Sequence, residues 1–369
     1  MRHAIIAASL LLSTSGAALA QNLDALRDSL DHLPATVLMQ EYGDLAYFVD
    51  VKVTAALSDG EARPFSRVLT GADLLALQAL AGSEPSEWES KAGTTIDRLQ
   101  YFAGYGRPPN SHAFWGLSDE AAATGLIETL ESIGFESAGA GVIGNGEPQR
   151  MDPSLRDPSD PWRTNIGAAQ FAAAIGTNVV QTQTPQAAAL AAAQQPRLGD
   201  NPVMQTALSG LEQSVGDSQV VQATIISPLF GMTGLDPRAF LSPSADLEET
   251  KRKIEEQMAS LGSGIPPYLG GIVADLQGDS QGVGIALAYP DCDIAQEAAD
   301  SIAARWVELA DEAAQGDIIA QTAEAEDGLC AATVTVYLAD DNAVQNPAYR
   351  AVVETYMRGQ PGVLQIGQD

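Results

Sequence analysis

The stretch most informative about the fold is residues 270–309, GGIVADLQGDSQGVGIALAYPDCDIAQEAADSIAARWVEL. Two hydrophobic runs, residues 272–277 and 283–289, flank a Gly-Asp-Ser-Gln-Gly segment rich in turn-forming residues. Residues 293–314 contain neither Gly nor Pro and predict a long helix. A β-rich run, residues 330–338, follows as CAATVTVYL. The stretch therefore predicts a hairpin, a helix and a strand that returns to the sheet.

The same order of predicted elements occurs twice earlier in the chain. Residues 97–143 predict a hairpin, a helix and a strand, and residues 167–226 predict them again. We therefore expect an α+β fold of antiparallel sheets with helices on one face, built from repeated hairpin–helix–strand (ββαβ) units. Residue identity between the three units is negligible, so unrelated segments that share a pattern are the alternative.

The first 20 residues have the organisation of a secretory signal peptide. A cationic start, Met1-Arg2-His3, precedes an apolar run and then Ala18-Leu19-Ala20, a small-residue cleavage site. The apolar run is shorter than the roughly 20 residues that span a bilayer, and no later segment is long and apolar enough. We expect cleavage after Ala20 and a mature protein in the periplasm or secreted, without a transmembrane span.

Export makes the two cysteines of the chain, Cys292 and Cys330, candidates for a disulfide. Two cysteines without nearby histidines lack the ligand count of a zinc site. The C-x-x-C spacing of redox motifs is also absent. The pair is therefore predicted to be a structural cross-link.

Proline-rich joints suggest the organisation into domains. Residues 151–162, MDPSLRDPSDPW, hold three Asp-Pro pairs, and residues 227–243 hold three prolines. After the signal peptide, 1–20, these joints predict an N-terminal α+β domain, 21–150, a middle unit, 151–240, and a disulfide-bonded C-terminal unit, 241–369. Shorter patterns predict a strand over residues 42–53 and helices over residues 72–80 and 245–261.

The charge balance excludes some partners. The chain has 369 residues, with 19 Lys and Arg against 48 Asp and Glu, and a formal net charge of −29. Nucleic acids and anionic lipids bind clustered Lys and Arg. We therefore expect this acidic protein to bind no nucleic acid.

Two glycine motifs resemble catalytic or nucleotide-binding signatures but lie in the wrong context. Residues 278–282, GDSQG, match the G-x-S-x-G of serine hydrolases, yet a strand rather than a helix is predicted to follow. We expect a hairpin turn there, with positive φ angles at Gly278 and Gly282, and no nucleophilic role for Ser280. Residues 139–144, GAGVIG, match the G-x-G-x-x-G of dinucleotide sites, but no helix is predicted to follow.

No metal site or cofactor is predicted. The Asp-rich segments fit no EF-hand loop, although calcium binding to them stays open. Paired carboxylates for glycoside hydrolysis are recognised by a spatial separation, which an acidic sequence does not reveal. The weak candidates for a ligand site are His112 and Trp115, which lie close together in sequence at a predicted strand. Trp306, at helical spacing from Ile302, is predicted to be in the core.

Together these features predict an exported protein that acts by binding or assembly, with an envelope protein or a small ligand as its partner. No catalytic residue is assigned. The alternative is an exported hydrolase that uses a carboxylate pair. A deep pocket that holds two or more titratable groups with strongly shifted pKa values would favour the enzyme. A broad apolar surface patch without such a pocket would favour the binding protein.

Overall fold

The computed structural model describes residues 16–39, 46–58, 65–68, 74–107, 110–164, 166–193, 196–232, 264–325, 328–339, 343–358, 360 and 362–367. Its helices are α1 Gly16–Leu30, α2 Val51–Leu57, α3 Leu75–Ala81, α4 Pro85–Ala92, α5 Glu120–Ser132, α6 Pro185–Ala192, α7 Pro202–Ser214, α8 Cys292–Leu309 and α9 Pro347–Met357. Its strands are β1 Ala46–Asp50, β2 Leu99–Tyr105, β3 His112–Leu117, β4 Glu136–Gly139, β5 Val142–Gly144, β6 Phe171–Ile175, β7 Asn178–Thr182, β8 Gln219–Ile226, β9 Gly270–Gln277, β10 Gln281–Tyr289, β11 Gly316–Glu324 and β12 Cys330–Leu338.

All twelve of these strands form one sheet in the order β11-β12-β10-β9-β8-β1-β2-β3-β7-β6-β5-β4. Every neighbouring pair is antiparallel. The expected α+β class with an antiparallel sheet is therefore confirmed. The sheet draws strands from all three predicted units, and the domain boundaries near 150 and 240 stay predictions.

Helices cover both faces of the sheet, which corrects the expectation of a single covered face. One face, called here the first face, packs against α1, α6 and α7. The second face packs against α2 to α5 at one end and against α8 and α9 at the other. The physical reason is that the central strands bury residues on both sides; every residue of β1 and β10, for example, is buried.

The described residues contain two halves that share a common order of elements, apart from α2, α3 and α4, which lie between β1 and β2 of the first half. The first runs α1-β1-β2-β3-α5-β4-β5, and the second runs α7-β8-β9-β10-α8-β11-β12. The halves meet where β1 pairs with β8. The helices α1 and α7, which begin the two halves, lie on the first face of the sheet. The helices α5 and α8, which follow the hairpins, lie on the second face. The hairpin β6–β7 is inserted between β3 and β5 of the first half only. The hairpin–helix–strand order thus occurs in both halves. The predicted unit at residues 167–226 differs, because its last strand, β8, pairs with β1 and β9 and not with the hairpin β6–β7.

Glycines opposite aromatic residues shape the sheet in both halves. Tyr101 pairs with Gly116, and Tyr337 pairs with Gly282. A Cβ atom at Gly116 would lie 2.5 Å from the Tyr101 ring, and one at Gly282 would lie 2.9 Å from the Tyr337 ring. Each ring therefore lies across its partner strand at a place that only glycine leaves open.

Residues 278–280 form the predicted hairpin turn, but the positive φ angles expected at its glycines are absent. Gln277 pairs with Gln281, so the G-x-S-x-G segment joins two strands. Neither Gly278 nor Gly282 has a positive φ angle. Gly282 is needed because Tyr337 packs over it and because the Val336 carbonyl oxygen would lie 2.7 Å from an added Cβ atom.

Local context changed several element boundaries. Of the predicted strand over residues 42–53, residues 46–50 form β1 and residues 51–53 begin α2, while residues 42–45 lie outside the described residues. The Asp50 carboxylate caps α2 by accepting a hydrogen bond from the Val53 amide at 2.8 Å. The predicted helix over residues 72–80 is α3, which begins at Leu75. The predicted helix over residues 245–261 lies outside the described residues.

Candidate functional site

A cleft of about 580 Å³ opens beside the β4–β5 hairpin, at the end of the sheet that belongs to the first half. Its floor contains Gly144 and Phe171, which pair across β5 and β6. A Cβ atom at Gly144 would lie 2.5 Å from the Phe171 ring, so this glycine keeps the ring against the sheet. Its other lining residues include Glu136 of β4 and Glu147, both exposed. We call this concavity the edge cleft.

The turn between β4 and β5 shapes the hairpin whose two strands contribute residues to the edge cleft. Gly139, Ala140 and Gly141 all have positive φ angles, which reverse the chain within a few residues. The pairing of the two strands also shifts register between Ser137 and Gly139. The G-x-G-x-x-G segment is therefore a bulged hairpin, and no helix follows it to receive a pyrophosphate.

A smaller cleft of about 250 Å³ adjoins the edge cleft and shares Gly146 and Glu147 with it. Its wall adds Arg150 and Arg163. Arg150 Nη1 lies 2.9 Å from Glu147 Oε2, and Arg163 Nη2 donates a hydrogen bond to the Asn145 carbonyl oxygen at 2.7 Å. The smaller cleft thus has two guanidinium groups beside the carboxylates of Glu147 and Asp152, whereas the described lining of the edge cleft has carboxylates and no Lys or Arg.

The loop that joins the two clefts is held by one side chain, Asn145. Its Nδ2 donates to the Trp162 carbonyl oxygen at 2.8 Å, and its Oδ1 accepts from the Gln170 amide at 2.9 Å. Trp162 itself is fully buried and stacks on Trp115 with ring centroids 4.7 Å apart. The clefts are therefore built on the rigid core of the first half.

A second polar cluster lies on the first face of the sheet and attaches α1 to it. Tyr101 Oη donates to Asp28 Oδ2 at 3.1 Å, and Asn178 Nδ2 lies 2.8 Å from His32 Nε2. Burial lowers the pKa of His32, and an unprotonated Nε2 is the form that accepts from the amide. The Oδ1 atom of Asn178 is buried without a hydrogen-bond partner. The contacts of His32 and Asp28 thus join the end of α1 to strands β2 and β7.

A third polar cluster is buried on the second face and joins the two halves. The Arg67 guanidinium donates to both carboxylate oxygens of Asp275, at 2.6 Å to Oδ1 and 3.2 Å to Oδ2. Gln222 Nε2 donates to Asp275 Oδ2 at 2.9 Å, and Asn346 Nδ2 donates to Oδ1 at 2.6 Å. Asp275 is completely buried and Arg67 nearly so. Because both oxygens of this carboxylate are engaged by protein groups and inaccessible, the cluster stabilises the fold rather than binding a ligand.

The sequence-predicted candidates His112 and Trp115 lie on the same strand but on opposite faces of the sheet. His112 stacks on Tyr105 with ring centroids 4.5 Å apart, and burial lowers its pKa. Trp115 is completely buried between Trp88 and Trp162, at centroid distances of 5.9 and 4.7 Å. The structure therefore does not bring the two side chains into one site, and neither lines the clefts described above.

The disulfide, the buried tryptophan of α8 and the absence of metal-ligand clusters among the described residues complete the comparison with the sequence predictions. The Cys292–Cys330 disulfide is confirmed, with the Cα atoms 5.1 Å apart, and Trp306 is in the core. Within the described residues no three His, Cys, Asp or Glu side chains could hold a metal ion together. No helix among them is both long and apolar enough to cross a membrane.

The residues of the clefts were missed by sequence reasoning. Glu136 lies in the strand predicted to end the unit at residues 97–143, and the other three, Glu147, Arg150 and Arg163, lie between predicted elements. None matches a motif, so a sequence this rich in charge gave no reason to select them. The one local signal was the density of glycines over residues 139–146, which marks tight turns and backbone that a ligand can approach.

No family model, no curated protein and no solved structure matches this chain. Inferences about its function therefore depend on its own residues and geometry.

Proposed function

We propose that the protein is exported and acts by binding a small ligand in the edge cleft. The observation that carries the proposal is the cleft itself, whose volume of about 580 Å³ lies within the range of small-molecule sites. Export is supported by the pattern of residues 1–20 and by the disulfide, which is compatible with an extracellular location.

The charges around the clefts suggest the chemistry of the ligand. Glu136 and Glu147 line the edge cleft, and among its described lining residues there is no Lys or Arg. Arg150 and Arg163 line the adjoining cleft, together with Asp152 and the shared Glu147. A ligand with a cationic group at one end and a carboxylate at the other would match this arrangement, because a guanidinium binds carboxylates through paired hydrogen bonds. A short zwitterionic peptide has this chemistry.

The test uses the dipeptide lysylglutamate, with dilysine and diglutamate as comparisons. We expect lysylglutamate to raise the melting temperature more than either homodipeptide, since ligands that bind only the folded state stabilise it. The double variant Glu136→Gln/Glu147→Gln should lose this response. Glu128→Gln replaces an exposed glutamate of α5 outside both clefts and should keep it. An equal response of the cleft variant and the control variant would contradict the proposal.

The alternative, an exported hydrolase with a carboxylate pair, is favoured by one observation. Glu136 and Glu147 line the same cleft, as the acid and the nucleophile or base of a glycosidase must. A panel of p-nitrophenyl glycosides tests it: hydrolysis that Glu136→Gln and Glu147→Gln each abolish, and that Glu128→Gln leaves intact, would establish the enzyme. The binding function predicts no turnover of any of them.

A further inference from the structure

The two edges of the sheet differ in a way that has consequences for binding. Strand β4 has four residues, all exposed, and is bulged. Strand β11 has nine residues, and all nine pair with β12 without a shift in register. Short and bulged edges discourage another strand from pairing, whereas a long regular edge is a template for one. Edge β11 thus lacks the protection that edge β4 has.

The centre of β11 is apolar and accessible. Residues 318–323, IIAQTA, carry no charge. The Ile319 side chain is 47% exposed, and Ile318 and Ala320 are half-buried. Because β11 is the last strand of the sheet in the described part of the chain, alternate backbone N–H and C=O groups along it point away from the sheet. Both the apolar contact and the hydrogen bonds of an added strand are therefore available.

The surroundings of this edge are acidic. Asp317 and Glu324 lie at the two ends of β11, and both are exposed. Between Trp306 and Ala325 the chain has five acidic residues and no Lys or Arg. Two copies of this edge would repel each other, whereas a basic segment would be attracted.

We propose that β11 is a docking edge for an extended segment of a partner protein, in which Lys or Arg residues flank an apolar, β-branched centre. The segment adds a strand beyond β11, with its main chain hydrogen-bonded to the open edge and its apolar side chains against Ile319. Its basic residues lie near Asp317 and Glu324, so charge selects this partner over a second copy of the chain. The proposal does not depend on the edge cleft, which lies at the opposite end of the sheet.

The probe is a peptide with blocked termini, Lys-Lys-Val-Ile-Val-Thr-Val-Lys-Lys, titrated into the full-length mature protein. Ile319→Lys should weaken its affinity by at least about tenfold, since an edge lysine opposes strand addition and repels the peptide. The double variant Asp317→Lys/Glu324→Lys should weaken it similarly. Leu190→Lys introduces the same charge at a 65% exposed site on α6 and should leave the affinity unchanged.

Two further measurements separate strand addition from unspecific attraction of charge. Hydrogen exchange of the β11 amides should slow when the peptide binds, and a peptide with a central proline should not bind, because proline has no N–H group for the ladder. Unfolding curves of all variants establish that they are folded; since Ile319 and both acidic residues are exposed, we expect little change.

Several results would overturn the proposal. One is equal binding of the peptide to the Ile319→Lys and Leu190→Lys proteins, or no binding to either. Another is equal affinity for the proline peptide, which would assign the interaction to charge alone. A concentration-dependent dimer that Ile319→Lys dissociates would assign the edge to a second copy of the chain.

Discussion

In the half that begins at α1 the sheet ends in the four-residue strand β4, whereas in the half that begins at α7 it ends in the nine-residue strand β11. The two strands occupy the same place in the shared order of elements. The first half has clefts beside its edge strand, and the second half has a long, open edge. The comparison indicates that one arrangement of helices and strands can present two different kinds of surface, because loops and edge residues vary without changing the core.

The halves also differ in what stabilises them. The first half contains three stacked tryptophans, Trp88, Trp115 and Trp162. The second half contains the disulfide that joins the start of α8 to the start of β12. It also supplies Asp275, the buried partner of Arg67. In the first half the buried carboxylate of Asp50 instead accepts hydrogen bonds only from backbone amides. This contrast can be tested by substitution.

The largest effect is expected for Asp275→Ala. Removing this carboxylate leaves the Arg67 guanidinium buried without a counter-charge, which should lower the free energy of unfolding by about 3–5 kcal/mol. Urea unfolding of the variant measures the loss. Asp279→Ala, in the exposed turn that follows β9, is the control and should change the free energy by less than about 0.5 kcal/mol. A variant as stable as this control would contradict the assigned role of the ion pair.

The next largest loss of stability is expected when the disulfide is removed. The Cys292→Ala/Cys330→Ala double variant should lose about 2–4 kcal/mol of unfolding free energy, because the cross-link closes a loop between residues 38 positions apart. Hydrogen exchange should accelerate first in α8 and β12 and later, if at all, in β2 and β3. An equal acceleration of exchange in both halves would show that the disulfide does not stabilise the second half more than the first. An unchanged melting temperature on reduction would show that the bond has no stabilising role.

A smaller effect of opposite sign is expected for Asp50→Asn. Burial raises the pKa of Asp50 from 3.8 to about 6, so the folded protein holds this proton more tightly than the unfolded chain. The free energy of unfolding should therefore fall as the pH rises from about 4 to about 6. Asparagine keeps the cap of α2 without the charge. The variant should be more stable than the native protein by about 1–3 kcal/mol at pH 7 and equally stable near pH 4.

Asp119→Asn is the matched control for that prediction. Asp119 caps α5 as Asp50 caps α2, but it is exposed, and the backbone hydrogen bond from Ala122 lowers its pKa. Its carboxylate form is therefore the one that folding favours, so this substitution should not stabilise the protein at pH 7. Unfolding in urea at four pH values between 4 and 7 measures both variants. A gain for both, or for neither, would contradict the contrast between the two caps.

We expect the Ser280→Ala substitution to change neither stability nor ligand binding. Ser280 lies in the β9–β10 turn, where its carbonyl oxygen accepts a hydrogen bond from the Gly278 amide at 3.1 Å. The segment joins two paired strands, and Gly282 is required by the Tyr337 ring that packs over it. Ligand binding and stability should both be retained. Labelling of Ser280 by a fluorophosphonate in the folded protein would refute this and favour the hydrolase.

The sequence was sufficient to predict those helices and strands that short-range residue preferences determine. The β9–β10 hairpin and α8 follow from apolar runs, turn residues and a helical stripe. They lie where the sequence predicts them, except that α8 ends at Leu309 and not at residue 314. The disulfide was predictable because the chain has two cysteines and one possible pairing. By contrast β11 was missed, since an edge strand is half exposed and lacks the hydrophobic signal of a buried one.

What the sequence determined by itself is therefore the identity of most helices and strands, the antiparallel α+β class and the cross-link. Only the tertiary structure decided the order of the strands, the covering of both faces and the edge that stays open. It also decided the pairing of Arg67 with Asp275, which are 208 residues apart, and the meeting of Glu136 and Glu147 in one cleft. The physical reason is the distance along the chain over which each interaction acts. Helix and turn preferences act between neighbouring residues. Sheet order and buried charge pairs depend on contacts between distant segments, which no local pattern encodes.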